Sequence, residues 1–538
     1  MQPAVGKSLF LLLAIPLGSL ADKNFEAAGR RWWAHVQYLA SDGMQGRGVG
    51  SSGFDLAADY VAAQFQRAGL RPGGIDNYFQ PVNLIQLTLD ESDSSLRLVE
   101  GAKTVDVKLG DEAILGVSPD ASASVEAPLV FVGYGLKIPE ANWDDLAGQP
   151  LKGAIAVYLR GGPSSISGNL RSHYASTEER WKAMKAAGVI GTISITSPKN
   201  MEVPWARVAA NGRLPRMVLA DAAMEETPGL EFSATWNSDR AETLFAGTGK
   251  SVAEIFAAAD QNQALPHFPL KWKVKASTIF KKEAVTSKNV VGIRWGSDPQ
   301  LSHQFVVFSA HLDHLGVGPI GQEDRIYNGA MDDASGIASL IEIASELDRK
   351  KLRMKRSVIF LAVTAEEKGE LGSRYYASTP SVEGTYVADI NMDMFLPLFP
   401  LKYLEVQGLG ESTLGDDIRA VCEQAGVEVQ ADKEPDKNRF IRSDQYSFIK
   451  KGVPALAFKF GYLPGTPEEK TFQGWYKERY HSVKDDLSQP VDAAAAAQFD
   501  DILAMLGERV ANAAQAPSWK QDSFFRRFAR SETSSGGF

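Results

Sequence analysis

Several stretches of this chain set metal-ligating side chains directly beyond apolar runs. His311-Leu312-Asp313 follows Phe305-Val306-Val307-Phe308, Glu366-Glu367 follows Ser357-Val358-Ile359-Phe360-Leu361-Ala362-Val363, and Asp393 follows Tyr386-Val387-Ala388-Asp389-Ile390. Asp332-Asp333 stands just before a stretch in which Ile337, Leu340, Ile341, Ala344 and Leu347 mark one helix face, and Tyr480-His481 comes later, shortly before Asp485. Continuous apolar runs of this kind are strands buried on both faces. In open α/β sheets, ligands and catalytic groups gather beyond the carboxyl ends of such strands. The spacing therefore predicts one site built from several strand ends.

The chain has only seven histidines. His35, His173 and His267 have neither an acidic nor a strand-end context, and His303 precedes a strand. His311 and His314 both follow one, and Asp313 stands where it can fix the His311 tautomer. Imidazole and carboxylate donors without cysteine suit a catalytic rather than a structural zinc site. Two metals need a bridging carboxylate and further ligands for each ion. His311, His481, Asp332, Asp393 and one of the pair Glu366-Glu367 provide that set, and the other glutamate is left for proton work. An isolated acidic pair would read more simply as a solvated helix start. The strand before this one, and the other acids and histidines, favour the chemical reading.

The positioning elements follow from patterning. From about 286 onward, strand-like runs alternate with helical periodicity, the mark of an α/β sheet domain. Asp55–Ala68 reads as an amphipathic helix with Ser51 and Ser52 able to cap it and Gly69 and Pro72 to end it. From about 112 to 268 the texture changes to short apolar runs separated by glycines and prolines, with one helix expected over Thr177–Ala187. This indicates a small β-rich module inserted into the sheet domain. The expected organisation is a leader at 1–21, a sheet domain from 22–111 and 269–515, the insert at 112–268, and a flexible tail at 516–538. No internal repeat is visible.

The leader reading rests on Lys7, the apolar run Leu9 to Leu20, and small residues at Ser19 and Ala21. That run is interrupted by Pro16 and is too short to span a bilayer, so cleavage after Ala21, a secreted or periplasmic location and no stable membrane insertion are expected. A formal net charge of -9 at a pI of about 5.5 offers no footprint for nucleic acid. The single cysteine, Cys422, lies in a helical pattern and reads as a buried thiol. Gly316-Val317-Gly318-Pro319-Ile320-Gly321 fits a dinucleotide fingerprint only on paper, because Pro319 interrupts it and no helix starts there. No Gly-x-Ser-x-Gly elbow and no phosphate-loop lysine motif occurs.

At these motifs the sequence resembles the co-catalytic two-zinc aminopeptidase family, whose wider relatives include glutamate carboxypeptidase and glutaminyl cyclase. The matching segments are Ala310-His311-Leu312-Asp313-His314-Leu315-Gly316, Asn328-Gly329-Ala330-Met331-Asp332-Asp333-Ala334-Ser335-Gly336, Thr364-Ala365-Glu366-Glu367-Lys368-Gly369-Glu370-Leu371-Gly372-Ser373, Asn391-Met392-Asp393-Met394 and Tyr480-His481. Leu39-Ala40-Ser41-Asp42-Gly43-Met44-Gln45-Gly46-Arg47 resembles members that carry an insert, and 112–268 resembles a protease-associated domain.

The resemblance implies a mixed central sheet flanked by helices, of the zinc exopeptidase type, and two zinc ions. His311, Asp332 and Asp393 would hold one ion and Asp332, Glu367 and His481 the other. Glu366 matches the general base, Tyr480 a tyrosine that steadies the oxyanion, and Asp485 an acid that orients the histidine before it. A cis peptide is expected between Asp332 and Asp333. Met331 departs from the small residue of many relatives, and 461–478, with Trp475 and Tyr476, has no assigned place. The implied activity is removal of the amino-terminal residue of peptides by a dizinc-bound hydroxide. A carboxypeptidase or dipeptidase on the same scaffold is the alternative, and would need a cationic cluster, for which Arg439 and Arg442 are the candidates. A non-catalytic binding protein would have lost ligands, and none is lost. The sequence leaves the oligomeric state and the preferred first residue open.

Overall fold

The computed structural model of the protein describes residues 18–529 except 262, 319–322 and 438. The leader-like run up to residue 17, part of the Gly316–Gly321 fingerprint and the residues beyond 529 lie outside the described residues. None of the described helices is long and apolar enough to cross a membrane.

A mixed sheet forms the centre. Its order is Arg216–Leu219, Phe79–Leu89, Phe280–Arg294, Ser357–Val363, Gln304–His311, Thr385–Asn391, Ala455–Gly461, Tyr403–Gln407 and Glu428–Ala431, with Arg71–Pro72 pairing off the third strand. The inner strands Ser357–Val363, Gln304–His311, Thr385–Asn391 and Ala455–Gly461 run parallel. Each is almost wholly buried, which accounts for their unbroken apolar sequences. Parallel alignment brings their carboxyl ends to one edge, with His311 opposite Val363 and Ser309 opposite Asn391.

Helices Gly18–Leu39, Ser52–Arg67, Ser335–Arg349 and Ala493–Asn512 share one core with this sheet. Ser51 caps the second of them by accepting the Phe54 amide at 3.1 Å. Trp32 is fully buried, and its indole N–H donates to the Ser335 carbonyl at 3.2 Å and to Ser339 Oγ at 3.1 Å. The first helix is thereby fixed to the one that follows Asp332-Asp333.

Between Leu89 and Phe280 the chain builds a second sheet with its own core. The order is Lys103–Asp106, Ser95–Glu100, His267–Ser277, Ser124–Val132, Ile155–Leu159, Gly191–Ile195, Phe232–Trp236 and Ala113–Gly116. Its strands run from Ser95 to Ser277, beyond both edges of the expected 112–268 module. Arg216–Leu219, from inside that range, pairs instead with Phe79–Leu89 of the central sheet. The two units are thus stitched together by backbone hydrogen bonds, a long-range pairing that local patterning does not reveal. The helix expected over Thr177–Ala187 spans Thr177–Ala186.

The region read as a flexible tail from 516 differs over its described part. Trp519 and Phe525 are buried against Phe440, Ile441 and Tyr446. The aromatic residues at 519–528 anchor the segment. Phe524 and Phe528 also pack on the ring of His173, whose Nδ1 lies 2.7 Å from the Tyr446 hydroxyl. Burial, aided by Arg527, lowers the His173 pKa to about 4. The native state therefore prefers the neutral ring. As pH falls from about 6.5 toward 4 the unfolded chain takes up the proton first, and stability is lost over that window. His173→Gln is expected to flatten the fall in Tm between pH 6.5 and 4; an unchanged slope in thermal scans would count against this burial.

Candidate metal centre

His311 is the last residue of its strand and is 1% exposed. Its Nδ1 faces the Asp313 carbonyl at 3.0 Å, and donation there leaves Nε2 as a lone-pair donor. Nε2 lies 3.1 Å from Asp332 Oδ1 and 3.4 Å from Asp393 Oδ1. On the opposite side, His481 Nε2 lies 3.3 Å from Asp332 Oδ2 and 3.1 Å from Glu367 Oε2. The structure thus brings together His311, Asp332, Glu367, Asp393 and His481, five residues spread over 171 positions of sequence (311 to 481). The Asp332 carboxylate stands between the two histidines.

The surrounding groups fix this arrangement. The Asp332–Asp333 peptide is cis. Asp485 accepts the amides of Met331 at 3.0 Å and Asp332 at 3.0 Å, so it orients the backbone of Asp332 rather than the His481 ring. Asp313 also acts differently from the sequence reading. Its main-chain oxygen meets His311, while its carboxylate accepts the amides of Glu366 at 3.0 Å and Glu367 at 3.4 Å. A side chain two residues beyond a strand end turns back across the loop, so the nearer main-chain carbonyl takes the ring.

Asp333 lies close enough to His311 and Asp393 to be grouped with them as a donor. Its oxygens are already engaged by the amides of Gly336 at 2.9 Å, His311 at 3.3 Å and Met394 at 3.3 Å, which makes it a brace for the loop. His314, passed over in the sequence reading, places Nδ1 2.6 Å from Glu367 Oε1 and orients that carboxylate. His35, His173 and His267 lie elsewhere, paired with Tyr60, Tyr446 and Asp145.

Arg47 is another residue to which the sequence assigned no role. It is fully buried and donates to four carbonyls: Leu39 at 2.7 Å, Leu312 at 2.8 Å, Asn328 at 2.7 Å and Gly329 at 2.8 Å. It therefore ties the His311 loop to the Asp332 loop. The preceding Gly46 allows this approach. Its φ is +63°, and a Cβ there would meet the Gly316 and Tyr327 carbonyl oxygens at 2.4 Å.

The second sheet unit also reaches the site. Arg207 donates to the carbonyls of Tyr480 at 2.8 Å, Lys477 at 3.1 Å and Glu478 at 3.3 Å, and Asn211 to that of His481 at 3.4 Å. The stretch 461–478 contains helix Pro467–Glu478, capped by Thr466, with Trp475 and Tyr476 buried. It leads into Tyr480, whose ring stacks on His481 at 3.9 Å.

The electrostatics divide the adjacent glutamates. Burial, with Asp393 and Asp444 adding to it, raises the Glu366 carboxyl well above the usual range. Burial opposes the charge of Glu367 as well, yet His481 and His314 hold its carboxyl below that range. Asp332 is held well below it by His311, His314 and His481 against the same burial. Burial raises the Tyr480 phenol, so it stays a hydrogen-bond donor. Asp332 Oδ2 and Asp393 Oδ1 are buried acceptors without a hydrogen-bond partner, which a cation would satisfy. The donor set of imidazoles and carboxylates fits zinc.

Residues 289–507, which contain all five convergent side chains, match the family model described as Peptidase family M28. The match fits the co-catalytic zinc peptidase family. Over 223 residues the chain is 30% identical to the probable leucine aminopeptidase 2 of Aspergillus oryzae, covering 39% of this chain and 42% of that protein. Over 212 residues it is 28% identical to Aminopeptidase Y of Saccharomyces cerevisiae, covering 38% and 36%. The chain spans less than half the length of these curated relatives. The solved structure of an aminopeptidase from Aneurinibacillus sp. strain AM-1 superposes on 92% of this chain and 97% of its own, with a TM-score of 0.54 at 19% identity. That likeness extends the shared fold beyond the M28 region and across the second sheet unit.

Proposed function

We propose that this chain is a zinc-dependent aminopeptidase that removes the amino-terminal residue of peptides outside the cytoplasm. His311, Asp332 and Asp393 would hold one zinc ion, and Asp332, Glu367 and His481 a second. The observation that carries this reading is the Asp332 carboxylate, whose two oxygens face different histidines at 3.1 and 3.3 Å. Zinc in such a set acidifies water and polarises a carbonyl. Glu366, with its Oε2 4.0 Å from His311 Nε2, accepts the proton of the attacking water and passes it to the leaving amine. Tyr480 donates its hydroxyl proton in a hydrogen bond to the developing oxyanion. The leader-like run before Asp22 supports the location, and amino-terminal sequencing of native material would test it. In keeping with the resemblance of 112–268, the second sheet unit, whose strands run from Ser95 to Ser277, is read as a protease-associated-like insert.

The charge of the cleft favours the amino end over the carboxyl end. Carboxylates surround the reacting centre, where a free amine finds a partner. Arg439 and Arg442, which a carboxypeptidase would need free, line the same cleft but are engaged. Arg439 pairs with Glu434 at 2.7 Å and Glu202 at 3.6 Å, and Arg442 with Glu202 at 3.4 Å. One peptide sequence in three forms tests the reading. The free and the carboxyl-amidated forms are expected to lose their first residue and the amino-acetylated form to be untouched. Loss of the last residue from the acetylated form would instead make this a carboxypeptidase.

A further inference from the structure

Glu202 belongs to the second sheet unit, outside the M28 region, yet it lines the cleft that holds His311, Glu366 and Asp393. Three cations of the central domain converge on it. Arg442 Nη1 lies 3.4 Å from Oε2, and Arg439 Nη2 and Lys437 Nζ lie 3.6 and 3.7 Å from Oε1. The Glu202 side chain is 18% exposed. Burial raises its carboxyl pKa, but Arg442, Arg439 and Lys437 outweigh that and hold it below the usual range. The Arg439 guanidinium also lies over the Tyr476 ring, 4.6 Å from its centre, which helps to hold the cradle in place.

The position of this group on the substrate path follows from the cavities. The smaller, of about 240 Å³, contains the metal-ligating side chains. The larger, of about 650 Å³, lies between the two sheet units. They meet at Glu202, Glu370, Arg442, Tyr480 and His481. The small cavity suits one residue and the large one the remainder of a peptide. The junction is then the neighbourhood of the residue just beyond the bond that is cut.

From this placement we infer that Glu202 is a specificity-determining residue that excludes substrates with a carboxylate on the second residue. The disfavoured class comprises free dipeptides and peptides with Asp or Glu in second place; longer or amidated peptides with a neutral or basic second residue are favoured. Without Glu202 the cradle would lose the acid that Arg442, Arg439 and Lys437 share, and would present three cations as a receptor for that same carboxylate. With Glu202 seated in it, an incoming carboxylate meets like charge at cations already paired with an acid. The inference rests on the aminopeptidase reading above.

The test uses the zinc-loaded full chain and three probes: Leu-Ala amide, Leu-Ala with its free carboxylate, and Leu-Glu amide. For the native protein, kcat/KM for Leu-Ala amide is expected to exceed that for each of the others by about 10-fold or more, because like charges brought together at a site disfavour the wrong substrate. Glu202→Gln should collapse or invert both ratios, while Glu202→Asp, which keeps the charge, should retain the preference. Because the comparison is a ratio within one protein, a general loss of activity does not imitate it. Equal kcat/KM values for the three probes in the native protein, or unchanged ratios in Glu202→Gln, would overturn the inference. Absence of cleavage of every free-amine probe would instead overturn the aminopeptidase reading on which it rests.

Discussion

Replacing Glu366 by glutamine is expected to lower kcat by about 10²–10⁴-fold while the protein keeps its zinc, the range typical of general acid–base catalysis. Glutamine preserves volume and the amide held by Asp313, but it cannot take a proton. The adjacent position should behave in the opposite way. Glu367 faces His481 at 3.1 Å and His314 at 2.6 Å, and its carboxyl is held below the usual range where that of Glu366 is raised. Glu367→Gln should therefore cost zinc first and activity as a consequence. Elemental analysis of both purified variants, beside steady-state kinetics at saturating zinc, separates the two roles. Two zinc ions per chain in Glu366→Gln and fewer in Glu367→Gln are the expected results; the reverse pattern would mean that the pair is assigned the wrong way round. A chelator that leaves native activity intact would defeat the metal reading altogether.

The sequence disclosed the site to the extent that local pattern governs it. His311, Glu366 and Asp393 stand beyond buried strands, and parallel pairing of those strands makes their ends neighbours. Asp332 was legible because a helix with a clear apolar face follows it. The roles of Asp313 and Asp485 were not, because a residue type does not tell whether its carboxylate or its carbonyl will meet a given ring. Both acids are found holding backbone amides. His314 differs from His311 only in where its loop turns, and no periodicity encodes that. Arg207, Asn211 and Glu202 were invisible for a further reason. They meet partners 240 to 273 positions further along the chain, as with Glu202 and Arg442 at 240 and Arg207 and Tyr480 at 273. The same long-range logic hid the pairing of Arg216–Leu219 with the central sheet and the packing of Trp519 and Phe525.

Arg47 shows how much of the candidate site is carried by residues with no chemistry of their own. Its guanidinium is fully buried, and its four hydrogen bonds join the end of the first helix, the loop after His311 and the loop before Asp332. Burial lowers its pKa, while Asp485, Asp333, Asp313 and Asp332 act to keep it charged. It therefore also supplies positive charge behind a cluster of acids. Arg47→Met would leave four buried carbonyls without this donor, and those acids without a buried cation that acts on them. Loss of one partner from a buried charged network costs about 3–5 kcal/mol, so a fall in Tm of about 10 °C is expected. The effect should not stop at stability. With the two loops no longer tied, His311 and Asp332 lose their fixed separation, and zinc affinity should fall by about 10–100-fold, as for other supports of metal ligands. Arg47→Lys keeps the charge but cannot reach four carbonyls at once, so it should recover part of the Tm and little of the affinity. Differential scanning calorimetry and competition against a zinc chelator measure the two quantities separately. A methionine variant with native Tm and native zinc affinity would show that the two loops hold their geometry without this residue.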